Sequence, residues 1–179
     1  MKITSSKQVY ECDLFRVTED RAIDHKSGFK IRRSVVRHMG SAVMMAVDEK
    51  ERILLVRQYR LPADRYLWEL PAGRLDPGET PLTGARRELI EETGCRAKKW
   101  TRLAHFWVSP GYVEERMTIY LAEGLTQGEA TPMDDERIEP RWFTAKQVGE
   151  MIHAGRIQDA KTMIGYYMWK DRAGSRSRR

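Results

Sequence analysis

Residues 73–95 read GRLDPGETPLTGARRELIEETGC, a loop containing glycine and proline that runs into a helix. Thr80 is placed to cap that helix, Pro81 suits its first turn, and Gly94 is placed to end it. Within it Glu88, Glu91 and Glu92 stand at i, i+3 and i+4, so the three acids project from one face within about one turn. Like charges at that spacing repel, and Arg87 neutralises only part of the repulsion. A hard divalent cation is the natural partner for clustered carboxylate oxygens; Mg²⁺ or Mn²⁺ suits a site that must also accept phosphate oxygens. The glycines of the loop let backbone groups come close to such an ion or to a substrate. An isolated E-x-x-E-E is ordinarily a solvated helix face, so the loop and the helix have to be read together.

Upstream of this segment the chain reads as strands. Residues 9–17, VYECDLFRV, alternate in part and are expected to form one strand. Lys26-Ser27-Gly28 is a turn signal, and residues 30–36, KIRRSVV, are expected to form the next strand. Residues 41–47 are apolar on both sides and residues 52–58 nearly so, separated by Asp48-Glu49-Lys50-Glu51; the expectation is a hairpin at the centre of a sheet. Downstream, strands are expected around 100–107 and 116–122, and an acidic loop at 124–136. A strand then includes Pro140-Arg141-Trp142-Phe143, a helix capped by Thr144 runs to about Ala154, and residues 160–169 form another helix or its continuation. Strands mixed with a few helices make this an α+β chain, or an α/β/α sandwich. No repeat and no long linker divides it.

Composition sets outer bounds. The 179 residues are 41% hydrophobic and 32% charged, which suits one ordinary globular domain, or one domain with a small appendage. Two cysteines, Cys12 and Cys95, make neither a disulfide framework nor a paired metal-ligand spacing, so a reducing interior is the natural setting. The opening MKITSSKQVYEC lacks the apolar core of a signal peptide, and no apolar run reaches membrane-spanning length; a cytoplasmic protein is expected. The net charge of +6 fits an anionic substrate. Much of the excess is Arg172, Arg176, Arg178 and Arg179, a short basic tail of the kind that is usually solvated, so nucleic-acid binding is not the expectation. The four histidines lack ligand spacing and read as structural or surface residues.

The loop and helix together resemble the Nudix box, a pattern of Gly, Glu, Arg-Glu, Glu-Glu and Gly at fixed separations. Here Gly73, Glu79, Arg87, Glu88, Glu91, Glu92 and Gly94 hold those places, with Leu89 at the inner apolar position. Cys95 replaces the usual final aliphatic residue and is expected to behave as a small buried hydrophobe. The resemblance implies a Nudix-type α/β/α sandwich with a mixed sheet, preceded by an antiparallel N-terminal extension. The organisation expected is an extension over 1–38, a hydrolase domain over 39–170 and a basic tail over 171–179. It implies Mg²⁺, with Mn²⁺ as a substitute, held by Glu88 and Glu92 with Glu91 assisting and the carbonyl of Ala72 as a further ligand. Arg87 and Glu79 are the residues it implies for orienting those ligands.

Three segments outside the box resemble the ADP-ribose pyrophosphatase branch: residues 55–60 (LVRQYR) ahead of 68–73 (WELPAG), residues 109–111 (SPG) followed by Glu115-Arg116, and residues 134–139 (DDERIE). The resemblance implies substrate contacts from Arg57, Arg60, Glu69, Ser109, Pro110, Gly111 and Glu115. Arg57 and Arg60 suit bidentate phosphate contact, although ordinary strand-end charges look the same. Ser109-Pro110-Gly111 is a turn in either case. One acid of the 134–139 loop is implied as general base, Glu136 first and Asp134 second. Tyr10, Phe15 and Tyr112 could stack on adenine, but aromatics in strands are more often core. The function implied is hydrolysis of a small-molecule nucleoside diphosphosugar, ADP-ribose first, by a homodimer that shares its N-terminal strands. Another nucleotide sugar such as GDP-mannose is the near alternative, and a non-catalytic metabolite sensor of the same fold the distant one.

Overall fold

A computed structural model describes residues 1–131 and 137–176, the side chains of 175 and 176 excepted. The chain divides into two compact units: residues 1–40 with 106–116, and residues 41–105 with 117–179.

The first unit contains three antiparallel strands in the order β1 (Lys2–Glu11), β2 (Arg16–Ile23), β3 (Lys30–Arg37). The single strand expected over 9–17 is instead the end of β1, a turn, and the start of β2. The Cys12 N–H bonds the Phe15 carbonyl at 3.0 Å to close the turn. The two arms of a hairpin share a face, so Tyr10 and Phe15 meet with ring centroids 5.9 Å apart and the alternation runs through the turn as if unbroken. β2 was hidden because its inward positions include Thr18 and Asp20, which are polar yet buried. Asp20 is satisfied there by Arg37 and by the Ser6 hydroxyl at 2.6 Å. The Lys26–Gly28 turn is as expected: Asp24 accepts from the Lys26 N–H and the Ser27 hydroxyl, and Gly28 adopts φ +72°.

The second unit is built on β4 (Ser41–Ala46), buried at every position. β4 lies between β7 (Ala72–Arg74), antiparallel to it, and β9 (Arg116–Gln127), parallel to it; β8 (Cys95–Trp107) lies beyond β9. The expected hairpin between residues 41–47 and 52–58 does not form. β5 (Arg52–Arg60) enters a different sheet, between β10 (Glu139–Thr144) and β6 (Arg65–Glu69). β7 and β9 occupy both edges of β4, leaving β5 only the single bridge Val47–Ile53. Asp48 takes the Lys50 and Arg52 N–H groups and closes the intervening turn.

Helices cover both faces of the mixed sheet. α1 (Pro81–Thr93) lays Ala85 and Leu89 on Ala42, Met44 and Ala46 of β4, with Cys95 buried in the same cluster as expected of a small hydrophobe. Thr80 accepts the Thr83 N–H, and Gly94 ends the helix at φ +71°. On the other face α3 (Ala160–Arg176) approaches so closely at Gly165 that a Cβ there would stand 2.5 Å from Leu70 and 3.7 Å from Ile119. α2 (Ala145–His153) begins at a capping box between Thr144 and Gln147. The expected sandwich with an antiparallel N-terminal extension is the architecture found. Among the described residues no helix is long and apolar enough to cross a membrane.

Candidate active site

The geometry of the acidic helix is set by Arg87. Its Nη1 donates to Glu88 Oε1 at 2.6 Å and to Glu91 Oε2 at 2.9 Å. Its Nε and Nη2 clasp the two oxygens of Glu79 at 3.1 and 2.9 Å, and Nη2 also reaches the Arg74 carbonyl at 3.0 Å. One planar fork thus ties the loop to the helix and holds two of the three clustered acids. The hydrogen bonds it donates to Glu79 foremost, then to Glu88 and Glu91, hold the guanidinium above its ordinary range, against the opposing effect of burial. The same contact with Arg87 draws the Glu79 carboxyl below the usual carboxylate range. Glu79 also accepts the Asp76 N–H at 3.0 Å.

Glu92 is 4% exposed and takes the Ala72 N–H at 3.1 Å. Beside it, Gly73 is a glycine for want of space: a Cβ there would stand 1.9 Å from the Glu88 carboxyl carbon. The box residues therefore come together, with Glu88 cradled on the Gly73 backbone and Glu92 on that of Ala72. Among the described residues no three acidic, histidine or cysteine side chains converge into a ready-made ion shell. Glu88 and Glu91 converge on Arg87, while Glu92 turns to Ala72. The donor set nonetheless fits a hard cation, because it offers carboxylate oxygens on one helix face with a backbone strand pressed against them.

Glu69 is 2% exposed. Arg60 donates to it twice, at 2.9 and 2.8 Å, and Lys161 once. Burial pushes its carboxyl up, but the bonds from Arg60 and Lys161 outweigh this and hold it below the usual range. Two expected substrate contacts thus meet each other in an ion pair whose carboxylate is buried and whose guanidinium is partly exposed. Arg57 lies over the Tyr66 ring, 4.6 Å from its centroid, and 3.8 Å from Glu139. Ser109, Pro110, Gly111 and Glu115 belong to the first unit. There the Ser109 carbonyl accepts from Tyr112 and Val113, making the expected turn, and Glu115 lies 3.7 Å from His38. Pro110, Gly111 and Tyr112 line a cavity of about 400 Å³ with Trp107, Arg33 and Ile31. Tyr10 and Tyr112 are exposed, not core. Glu136 and Asp134 lie outside the described residues.

Sequence patterning does not single out Asp159, Lys161 and Thr162. Asp159 accepts the Thr162 N–H at 2.9 Å and so caps α3; an Asp three residues before a Thr at a helix start was the available signal. The partners of Lys161 and Thr162, Glu69 and Leu70, lie 92 positions away and gave none.

Residues 36–164 match the NUDIX domain family. The chain is 37% identical over 142 residues to an ADP-ribose pyrophosphatase of Bacillus subtilis (strain 168), covering 78% of this chain and 77% of that protein. It is 33% identical over 147 residues to a GDP-mannose pyrophosphatase of Cronobacter sakazakii (strain ATCC BAA-894), covering 73% and 76%. Its fold is that of a crystal structure of an ADP compounds hydrolase, with a TM-score of 0.82 over 99% of this chain and 96% of that one at 22% identity. A box assembled around Arg87, the fold and these similarities agree, and the chain belongs to the Nudix family as a hydrolase related to the ADP-ribose pyrophosphatases.

Proposed function

We propose that this hydrolase cleaves the pyrophosphate bond of ADP-ribose with Mg²⁺, adding one water to give AMP and ribose 5-phosphate. The observation that carries the reading is the Arg87 hub, which gathers Glu79, Glu88 and Glu91 beside Glu92 and the Ala72 backbone. Glu88, Glu91, Glu92 and the Ala72 carbonyl would hold the cation, with Mn²⁺ able to replace Mg²⁺. When bound, it supplies neutralisation of the charge that develops on the phosphoryl oxygens. Arg87 holds Glu88 and Glu91 in place. Arg57, which contacts an aromatic face and a carboxylate 3.8 Å away, is assigned to exchange them for a substrate phosphate. Glu136, or failing it Asp134, is assigned to take the proton of the attacking water. Ser109, Pro110 and Gly111 of the turn are assigned to substrate contact. Glu115, next to that turn, is assigned to substrate contact.

The similarity to GDP-mannose pyrophosphatase supports a second reading, in which the chemistry is kept and the sugar and base differ. A panel of nucleoside diphosphosugars assayed with Mg²⁺ and ranked by kcat/KM decides between them. ADP-ribose at the head of the ranking supports the first reading, and a clear preference for GDP-mannose replaces it with the second. We assign the chain to the cytoplasm and to a homodimer formed through residues 1–38, with the hydrolase domain over 39–170 and the tail over 171–179.

A further inference from the structure

The start of α3 is bonded to the loop that carries the acids' backbone partners. Asp159 Oδ2 accepts both the N–H of Thr162 at 2.9 Å and its hydroxyl at 2.5 Å. A hydroxyl has one proton, so that donation fixes the rotor and leaves only lone pairs for any other partner. One of these receives the Leu70 N–H at 2.8 Å, in a place where Thr162 and Leu70 are each 1% exposed. Lys161, one residue earlier, donates to Asp159 at 3.0 Å and to the buried Glu69 carboxylate. The first turn of α3 therefore grips two consecutive residues of the loop, Glu69 and Leu70. One turn further along, the absence of a Cβ at Gly165 seats the helix directly on the Leu70 side chain.

Pro71, Ala72 and Gly73, directly after Leu70, form the ligand-bearing segment. The Pro71 carbonyl accepts the Met44 N–H at 2.9 Å, the Ala72 N–H goes to Glu92 at 3.1 Å, and Gly73 supports Glu88. We propose that Asp159, Lys161 and Thr162 are positioning residues of the active site: they fix Glu69 and Leu70, this fixes the Ala72 backbone, and the Ala72 N–H aims Glu92. The proposal rests on the assignment of Glu88, Glu91 and Glu92 as cation ligands.

The test uses Mn²⁺ alone as probe, with binding to the full chain followed by electron paramagnetic resonance without substrate. Thr162→Val keeps the shape and removes both hydrogen-bonding functions; Thr162→Ser keeps the hydroxyl. Thr162→Val weakens Mn²⁺ binding roughly tenfold, the lower end of what outer partners of a metal ligand contribute. It also speeds amide exchange at Leu70 and Ala72, and Thr162→Ser restores both. Val148→Ala, a cavity substitution on α2, lowers the melting temperature and leaves both readouts unchanged. Should Thr162→Val not fold, Asp159→Ala, which removes the acceptor that fixes the hydroxyl rotor, is measured in its place. Mn²⁺ affinity within twofold of wild type in the folded variant overturns the positioning role. Glu92→Gln separates the two levels. If it loses Mn²⁺ while Thr162→Val retains it, only the positioning role falls; if Glu92→Gln binds Mn²⁺ like wild type, the ligand assignment falls and the positioning role falls with it.

Discussion

Arg87 uses its fork on Glu79 and its remaining donors on Glu88, Glu91 and the Arg74 carbonyl. Lysine retains the charge but offers a point donor in place of the planar fork, so Arg87→Lys is expected to lower kcat while leaving the helix in place. Glu92→Gln is the sharper probe. The amide keeps the volume and can still accept the Ala72 N–H, so folding persists, but a charged ligand is lost. A fall in kcat of roughly a hundredfold or more is expected, since even the outer partners of a ligand are worth about ten- to a hundredfold. Unchanged turnover in a variant with a wild-type circular dichroism spectrum would remove Glu92 from the chemistry. Gly73→Ala distinguishes activity from stability in the opposite sense. Its new Cβ strikes the far end of the Glu88 side chain, which is flexible and can move aside, and not backbone. The expectation is a small change in melting temperature with a large loss of turnover; a large drop in both would mean that the Glu88 carboxylate is held rigidly.

Elements differ in how local their determinants are, and that difference sets what the sequence discloses. α1 is legible because its cap, its proline, its terminal glycine and its acids lie within one short segment. Thr80→Ala is accordingly expected to cost about 1 kcal/mol through the lost cap, read as a fall of about 2–4 °C in melting temperature for a chain of this size. No measurable shift would show that the Thr80 hydroxyl contributes nothing beyond the turn itself. The β1–β2 hairpin is not legible, because alternation passes through its turn and because Asp20 is buried by pairing with Arg37, a residue 17 positions on. Strand pairing is equally non-local: nothing within residues 41–58 states that β7 and β9 will claim both edges of β4. The contrast holds within the site. The box announces its own acids, whereas Lys161 and Thr162 become site residues only when α3 is laid over Leu70.

For the whole molecule, acid pH and self-association are the two tests. Glu69 and Glu79 both have folded carboxyls held below their ordinary values, Glu69 by Arg60 and Lys161 against burial, Glu79 by Arg87. A depressed folded pKa contributes stability that is fully present above the unfolded value of about 4.3 and is lost as pH falls through the folded value. The melting temperature should therefore hold near neutrality and fall below about pH 4–5, and Glu79→Gln should flatten part of that fall. A profile unaltered by that substitution would detach Glu79 from the acid response. Self-association concerns β1, which stands at the edge of its sheet with every residue exposed, Ile3, Val9 and Tyr10 among them. An edge strand of this length with apolar side chains is a template for another chain unless it is covered. A second copy of the same strand is the partner that the homodimer assignment requires. Light scattering coupled to gel filtration should return twice the chain mass of 20.9 kDa, and Val9→Lys should shift the population towards monomer on dilution. A wild-type protein that elutes as monomer at low micromolar concentration would leave β1 without the partner assigned to it.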